Sequence, residues 1–340
     1  MKPKINIGLI GLGRLGRNYA DYIAYRIPRA NLSAISDIAE TAMASCAEAL
    51  NVSKCYKRYE DLIADKEVDA IVIVTSTSTH KLMIIEAAKQ GKAIFCEKPL
   101  TLSLQEGRAI EQALAQTGAF FQMGFMRRFD RGYAAAKRKI GAGEIGAPVL
   151  FKASSRDPYR PSLEYADPKI SGGLFTDMGI HDFDLARWFM GEVRSVYSTG
   201  GVLAYPEMKA IGDIDNGVTN IVFENGTLGV VDLSRNGVYG YDIRTEILGT
   251  AGAIKIGYLR ETPILVMAKA GVAHDTVPYF MERFGEAYVA QLRNFVENLL
   301  NDQAPAIACA DGIAALEISL AAKLSYEENR PVALNEIKSN

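Results

Sequence analysis

The sequence predicts an α/β protein: an N-terminal Rossmann-type parallel sheet, then a C-terminal α/β domain with a large, mostly antiparallel open sheet. Three observations predict it. Short apolar runs alternate with helix-period segments through the first third of the chain, the pattern of βαβ units in a sheet covered on both faces. Gly11-Leu-Gly13-Arg-Leu-Gly16 lies between the first apolar run and the first helical segment. Beyond Phe125, strand-length runs follow one another through turns such as Glu224-Asn-Gly226, which favours antiparallel pairing.

In chain order, apolar runs predict strands over residues 5–10, 32–36, 70–74, 93–96 and 120–123, with helices over 15–25, 39–50, 80–90 and 104–116 between them. A basic helix over 131–140 leads to the turn-rich Gly141-Ala-Gly-Glu-Ile-Gly-Ala-Pro148. A strand over 149–155 follows, then a Pro-rich loop and a helix carrying Asp177 and His181 that ends near Gly191. Strands are expected over 193–202, 219–223, 228–233, 242–248, 253–256 and 264–267, and helices over 283–300 and 311–329. The natural division is a dinucleotide-binding domain over 1–124 and a substrate-binding and oligomerisation domain over 125–340.

Composition narrows the partners. The 340 residues are 49% apolar and 23% charged with net charge −2, which leaves no electrostatic footprint for nucleic acid or an anionic membrane. Apolar runs are far shorter than a membrane span. Cys46, Cys55, Cys96 and Cys309 show neither metal spacing nor a disulfide framework, and suit a reducing cytoplasm. A small-molecule substrate and copies of the same chain are the expected partners.

The glycine motif fits a dinucleotide. Gly11, Gly13 and Gly16 allow a tight turn and close backbone approach, and the helix opening at Arg14-Leu15 presents its N-terminus to a pyrophosphate. Asp37 ends the next strand, where a carboxylate accepts from ribose hydroxyls and repels a 2′-phosphate, favouring NAD over NADP. Thr75-Ser76-Thr-Ser-Thr-His80 follows the third strand run, at the sheet edge where such folds bind ligands; the same hydroxyls also suit helix capping. Glu97-Lys98-Pro99 follows the fourth. Lys98 there can stabilise a substrate hydroxyl as it loses its proton, or pair with Glu97 at the surface.

Asp177 and His181, four residues apart in one expected helix, share a face. A carboxylate beside an imidazole suits proton transfer near neutral pH. Two other readings compete: a helix-start acid with a satisfied buried histidine, and a zinc site using Asp182 or Asp184, which lacks the third protein ligand that catalytic zinc needs.

Cys-Glu97-Lys98-Pro99, Gly124-Phe-Met-Arg127-Arg128-Phe-Asp130 and Gly172-Gly-Leu-Phe-Thr-Asp177-Met-Gly-Ile-His181-Asp-Phe-Asp184 occur in this order after the glycine motif. With them the chain resembles the Gfo/Idh/MocA oxidoreductases over nearly its whole length, and within that family the bacterial inositol 2-dehydrogenases. The resemblance implies a homotetramer built on the open sheet, NAD as cofactor, and a catalytic set of Lys98, Asp177 and His181 with His181 as general base. Cofactor contacts would come from Gly11, Gly13, Arg14, Leu15, Gly16, Asp37, Thr75, Ser76, His80, Glu97 and Lys98. Arg128, Asp157 and Tyr239 or Tyr241 stand where polyol contacts are expected, although Ser155-Arg-Asp157-Pro158 replaces the His-Arg-Asn-Pro of some members. The implied reaction is oxidation of myo-inositol to 2-keto-myo-inositol. Alternatives are scyllo- or chiro-inositol, an aldopyranose, or a non-catalytic nucleotide-sensing regulator.

Overall fold

The computed structural model describes residues 4–338. The first part runs β1 (Ile5–Ile10), α1 (Arg14–Tyr25), β2 (Ala30–Ser36), α2 (Glu40–Leu50), β3 (Lys54–Tyr56) and α3 (Tyr59–Ala64). It continues through β4 (Ala70–Ile73), α4 (Thr77–Lys89), β5 (Ala93–Glu97), α5 (Leu104–Thr117) and β6 (Phe121–Gly124). The second part opens with a 3₁₀ turn (Met126–Phe129), α6 (Arg131–Gly141), β7 (Pro148–Arg156), α7 (Leu163–Ala166), α8 (Pro168–Ser171), α9 (Leu174–Asp177) and α10 (Ile180–Met190). Then come β8 (Val193–Gly201), β9 (Asn216–Phe223), β10 (Leu228–Ser234), β11 (Asp242–Gly249), β12 (Gly252–Ile256), β13 (Val266–Ala268) and β14 (Gly271–Ala273). The chain closes with α11 (Phe280–Leu300), α12 (Cys309–Glu328), β15 (Val332–Ala333) and α13 (Leu334–Lys338).

The first sheet has six strands in the order β3-β2-β1-β4-β5-β6, all parallel. β4 is buried at every position, as a strand covered on both faces must be. The order reverses between β1 and β4, so the carboxyl ends of these strands form the crevice where open α/β sheets bind ligands. The short β3 and α3 are additions to the expected pattern, because three residues give no readable alternation.

The second sheet has the order β12-β11-β7-β10-β9-β8-β15. Every pair is antiparallel except β7 with β10. One face is buried through Phe151, Ala153, Thr219, Ile221, Val231, Leu233 and Ile247. On the other, Leu248, Leu150, Leu228 and Val222 lie opposite one another across four strands, with Leu228 53% and Leu248 41% exposed.

The chain divides into two compact units, Met1–Met126 with Glu286–Leu316 and Arg127–Gly285 with Glu317–Asn340. This differs from the expected cut between 124 and 125, because the chain returns. Tyr288 packs edge-on to Tyr19 at 6.0 Å and Phe295 edge-on to Phe95 at 5.7 Å. Gln291 donates to Tyr19 Oη (2.6 Å) and Glu97 Oε1 (3.1 Å). Sequence periodicity assigns α11 a buried face but not the surface that it covers.

The expected single helix through Asp177 and His181 is two. Gly179 N bonds Leu174 O at 3.1 Å, an i→i−5 step that widens the turn. α9 ends at Asp177 and α10 begins at Ile180. A Cβ on Gly179 would stand 2.6 Å from Phe175 O and 2.8 Å from Leu233 Cδ1, so glycine is required at the break. The shared-face argument for this pair therefore does not hold: the two residues flank a junction.

Candidate active site

In the first unit the glycines divide their work. Gly11 has φ +95° and a Cβ there would lie 2.4 Å from Val74 O; one on Gly16 would lie 2.0 Å from Gly11 O. These two are packing glycines. A Cβ on Gly13 would meet nothing within 4 Å, and Gly13 stands at the start of α1 without a side-chain cap. Open space over uncapped helical N–H groups, beside Arg14 and Leu15, fits a pyrophosphate. Asp37 is fixed beside the loop, accepting from Leu12 N (2.6 Å) and Ala39 N (2.7 Å), and each of its oxygens keeps a further lone-pair direction. The following Ile38 is 97% exposed, an apolar side chain where a 2′-phosphate would need a cation.

Beyond the carboxyl end of β4, Thr75 Oγ1 bonds Thr79 Oγ1 (2.7 Å), while Ser76 stands at the N-cap of α4 without a side-chain cap bond. His80 is buried and faces inward: Nδ1 lies 2.9 Å from Pro99 O and Nε2 3.2 Å from Thr75 O. It braces the Thr75 loop against the segment after Lys98. Burial lowers its pKa, against the upward pull of those carbonyls. Glu97 also points inward, taking Tyr19 Oη, Gln291 Nε2 and the Lys98 backbone N–H, and burial pushes its carboxyl up. Both residues therefore support the loops from beneath. Lys98 follows β5, half-buried; its backbone N–H donates to Glu97 Oε2 (3.1 Å), and its peptide bond to Pro99 is cis.

In the second unit the Arg-Arg and Asp-Phe-Asp motifs interlock. Arg127 Nη1 donates to Asp182 Oδ1 (2.7 Å) and Ser155 Oγ (3.2 Å), and Ser155 Oγ donates to Asp182 Oδ2 (2.7 Å). Arg128 grips both oxygens of Asp184 (2.9 and 2.5 Å) and lies 5.6 Å from the Trp188 ring centroid. These ties fix α10, and with it His181, which is 8% exposed. Arg128, expected as a polyol contact, is thus committed to a carboxylate.

Asp177 is held at both oxygens: Tyr165 Oη donates to Oδ1 (3.1 Å) and Arg235 Nη2 to Oδ2 (3.2 Å). Asp157 follows β7, its backbone joined to Ser234 and Gly237. Tyr241 is buried against Tyr279 and Phe284, and burial raises its phenol. Tyr239 differs from expectation. Its hydroxyl accepts from Arg156 (3.1 Å) and donates to Asp242 (2.8 Å). Because Ser155 faces α10, its neighbour Arg156 lies on the opposite sheet face, and Tyr239 is tied there. Sequence reasoning missed Arg235 and Tyr165. Both reach Asp177 through non-local pairing and carry no motif of their own. Among the described residues no three His, Cys, Asp or Glu side chains gather as a metal-binding group.

The description "Oxidoreductase family, NAD-binding Rossmann fold" matches residues 5–125, and "Oxidoreductase family, C-terminal alpha/beta domain" matches residues 137–334. The chain belongs to the Gfo/Idh/MocA oxidoreductase family. It is 41% identical to a scyllo-inositol 2-dehydrogenase (NAD(+)) of Bacillus subtilis over 98% of each chain. A myo-inositol 2-dehydrogenase of Thermotoga maritima is also 41% identical, over 98% of this chain and 99% of that one. Among solved structures, scyllo-inositol dehydrogenase from Lactobacillus casei with bound NAD(H) and scyllo-inositol is 34% identical. It superposes with a TM-score of 0.93 over 98% of this chain and 99% of that one. The expected fold and family are both present, and the cofactor is NAD.

Proposed function

We propose that this Gfo/Idh/MocA protein is an NAD-dependent inositol 2-dehydrogenase that oxidises one ring hydroxyl of myo-inositol to 2-keto-myo-inositol (scyllo-inosose). The observation that carries the reading is Asp177, held through both oxygens at the junction leading to His181, in a chain whose relatives carry that activity in their names. Scyllo-inositol is the second reading, favoured by the Bacillus subtilis relative. The two isomers differ only at the carbon that becomes the ketone, so both give one product.

A ring nitrogen of His181 takes the hydroxyl proton. Lys98 donates to the same oxygen and stabilises its growing negative charge, and Asp177 orients the hydroxyl by accepting a hydrogen bond. Bound NAD would supply the acceptor for the hydride that leaves the carbinol carbon. Gly13 and the helix start at Arg14 and Leu15 would hold the pyrophosphate, with Gly11 and Gly16 shaping the tight turn that presents them; Asp37 would hold the adenosine ribose, and Thr75 and Ser76 would line the crevice beyond them. Asp157 is the remaining polyol contact in this reading.

The protein acts in the cytoplasm, consistent with four free cysteines and with the absence, among the described residues, of any helix long and apolar enough to cross a membrane. A second copy covers the open sheet face, on which Leu228 and Leu248 stand 53% and 41% exposed in one row with Leu150 and Val222, and the assembly is a tetramer. Its mass by light scattering tests this, and a monomer would reject it.

The direct test is a panel of inositol isomers and aldoses with NAD and NADP, following absorbance of the reduced nicotinamide. Turnover of myo- or scyllo-inositol with NAD is expected. Turnover of aldoses alone would replace the substrate, and no turnover of any polyol with either cofactor would favour a nucleotide sensor.

A further inference from the structure

β7 and β10 are the parallel pair of the second sheet, so their carboxyl ends emerge at one edge, with Asp157 beyond the first and Arg235 beyond the second. The Arg235 side chain is 1% exposed, and its Nη2 reaches Asp177 Oδ2 at 3.2 Å. Its Nε, also buried, has no hydrogen-bond partner among the described residues. The guanidinium is therefore balanced by charge, with Asp177, Asp157 and Asp213 all acting on it. A buried charge is retained only where such compensation exists.

The segment Asp213-Ile214-Asp215 braces both members of the pair. Asp213 Oδ1 accepts from Leu174 N (3.1 Å), at the start of the helix that ends in Asp177. Asp215 O accepts from Arg235 N (2.9 Å). The Asp215 carboxylate in turn gathers the backbone N–H groups of Leu203, Ala204 and Tyr205 at 2.8, 2.9 and 2.6 Å. One three-residue stretch thus fixes where the carboxylate begins and where the guanidinium stands.

We propose that Arg235 is a positioning residue for the oxidation: its buried guanidinium faces the Asp177 carboxylate and holds it in one orientation, while Tyr165 donates to the other oxygen. The inference rests on the reading of Asp177 as a member of the catalytic group, and adds the residue through which that carboxylate is aimed. Neighbouring acids make the charge necessary. Burial pushes the Asp213 carboxyl up, and Asp177 adds to that rise while Arg235 opposes it.

The test is a cycle of Arg235→Met, Asp177→Asn and the double variant, with Arg235→Lys beside it, assayed with NAD and the best inositol isomer. NAD affinity, measured by fluorescence titration, should be unchanged in all four. Arg235→Met should lower kcat roughly 10–100-fold, the order of loss from a misplaced catalytic group. It should also move the acid limb of the kcat/KM profile to higher pH, because a carboxylate without its guanidinium binds a proton more tightly. Arg235→Lys should fall between the two, keeping the charge but not the fork. In the Asp177→Asn background Arg235→Met should cost under about threefold more, as for two residues acting through one group.

Equal losses in both backgrounds, or a wild-type kcat and pH profile in Arg235→Met, would overturn the proposal. If the Met variant does not fold, a Lys variant indistinguishable from wild type in kcat and pH profile overturns it instead. Asp177→Asn at full turnover would remove the reading of Asp177, and this inference with it. Asp177→Asn inactive with Arg235→Met normal would remove Arg235 alone.

Discussion

Replacing Asp182 by alanine should unfold the second unit well before the wild type. Asp182 and Arg127 are 0% and 2% exposed and meet at 2.7 Å. Burial pushes the Asp182 carboxyl up, and Arg127 and Ser155 pull it back; burial also works against the Arg127 charge, and Asp182 together with Tyr241 and Tyr133 outweighs it. Removing one partner strands the other's charge, a loss of roughly 3–5 kcal/mol. At roughly 2–4 °C per kcal/mol for a unit of 150–250 residues, the thermal midpoint should fall by about 6–20 °C. Thermal and urea unfolding followed by circular dichroism measure it. The double variant Arg127→Met/Asp182→Leu should recover much of the loss, since an apolar pair leaves no stranded charge. A single-variant loss below about 1 kcal/mol, the scale of an exposed pair, would refute the reasoning. Turnover should fall too, because Asp182 adjoins His181 on α10.

The two glycines that differ in surroundings should differ in phenotype. Gly13→Ala should fold normally and lose NAD affinity by isothermal titration, whereas Gly16→Ala should lower the thermal midpoint because its Cβ would meet Gly11 O at 2.0 Å. His80 gives a pH dependence. Its pKa is lowered on folding by burial, so its contribution to stability is present above its unfolded value, about 6.5, and is lost as pH falls through the lower folded value. Between pH 7 and 5, urea-derived stability should drop by at most about 1.4 kcal/mol per pH unit from this group. A His80→Gln variant should be flatter by that amount; a parallel profile would show that His80 does not carry the slope.

Much of the fold and part of the site are legible in the sequence, and what is not has a physical pattern. The glycine motif and Asp37 are local features, and their strands and helix obey the expected periods. Lys98 stands at a strand's carboxyl end, as its sequence context predicts, because the apolar run before it forms β5, buried from Ile94 to Glu97. The pair Asp177 and His181 reads as an acid and a base on one helix face, but Gly179 and its i→i−5 bond break the helix that the spacing implies. Arg128 reads as a polyol contact, yet it and Arg127 pair with Asp184 and Asp182, more than fifty residues away. Tyr239 was ambiguous until strand alternation fixed its sheet face. Arg235 was invisible because its meaning depends on β10 lying parallel to β7, a pairing that no local pattern encodes.

The central claim is that His181 is the base for hydroxyl oxidation by NAD. Comparing wild type with His181→Ala, at saturating NAD and the best inositol isomer, tests it most directly. The account predicts a loss in kcat of roughly 10²–10⁴-fold, the usual worth of general base catalysis, with NAD affinity unchanged. A His181→Ala enzyme turning over within about twofold of wild type would contradict it.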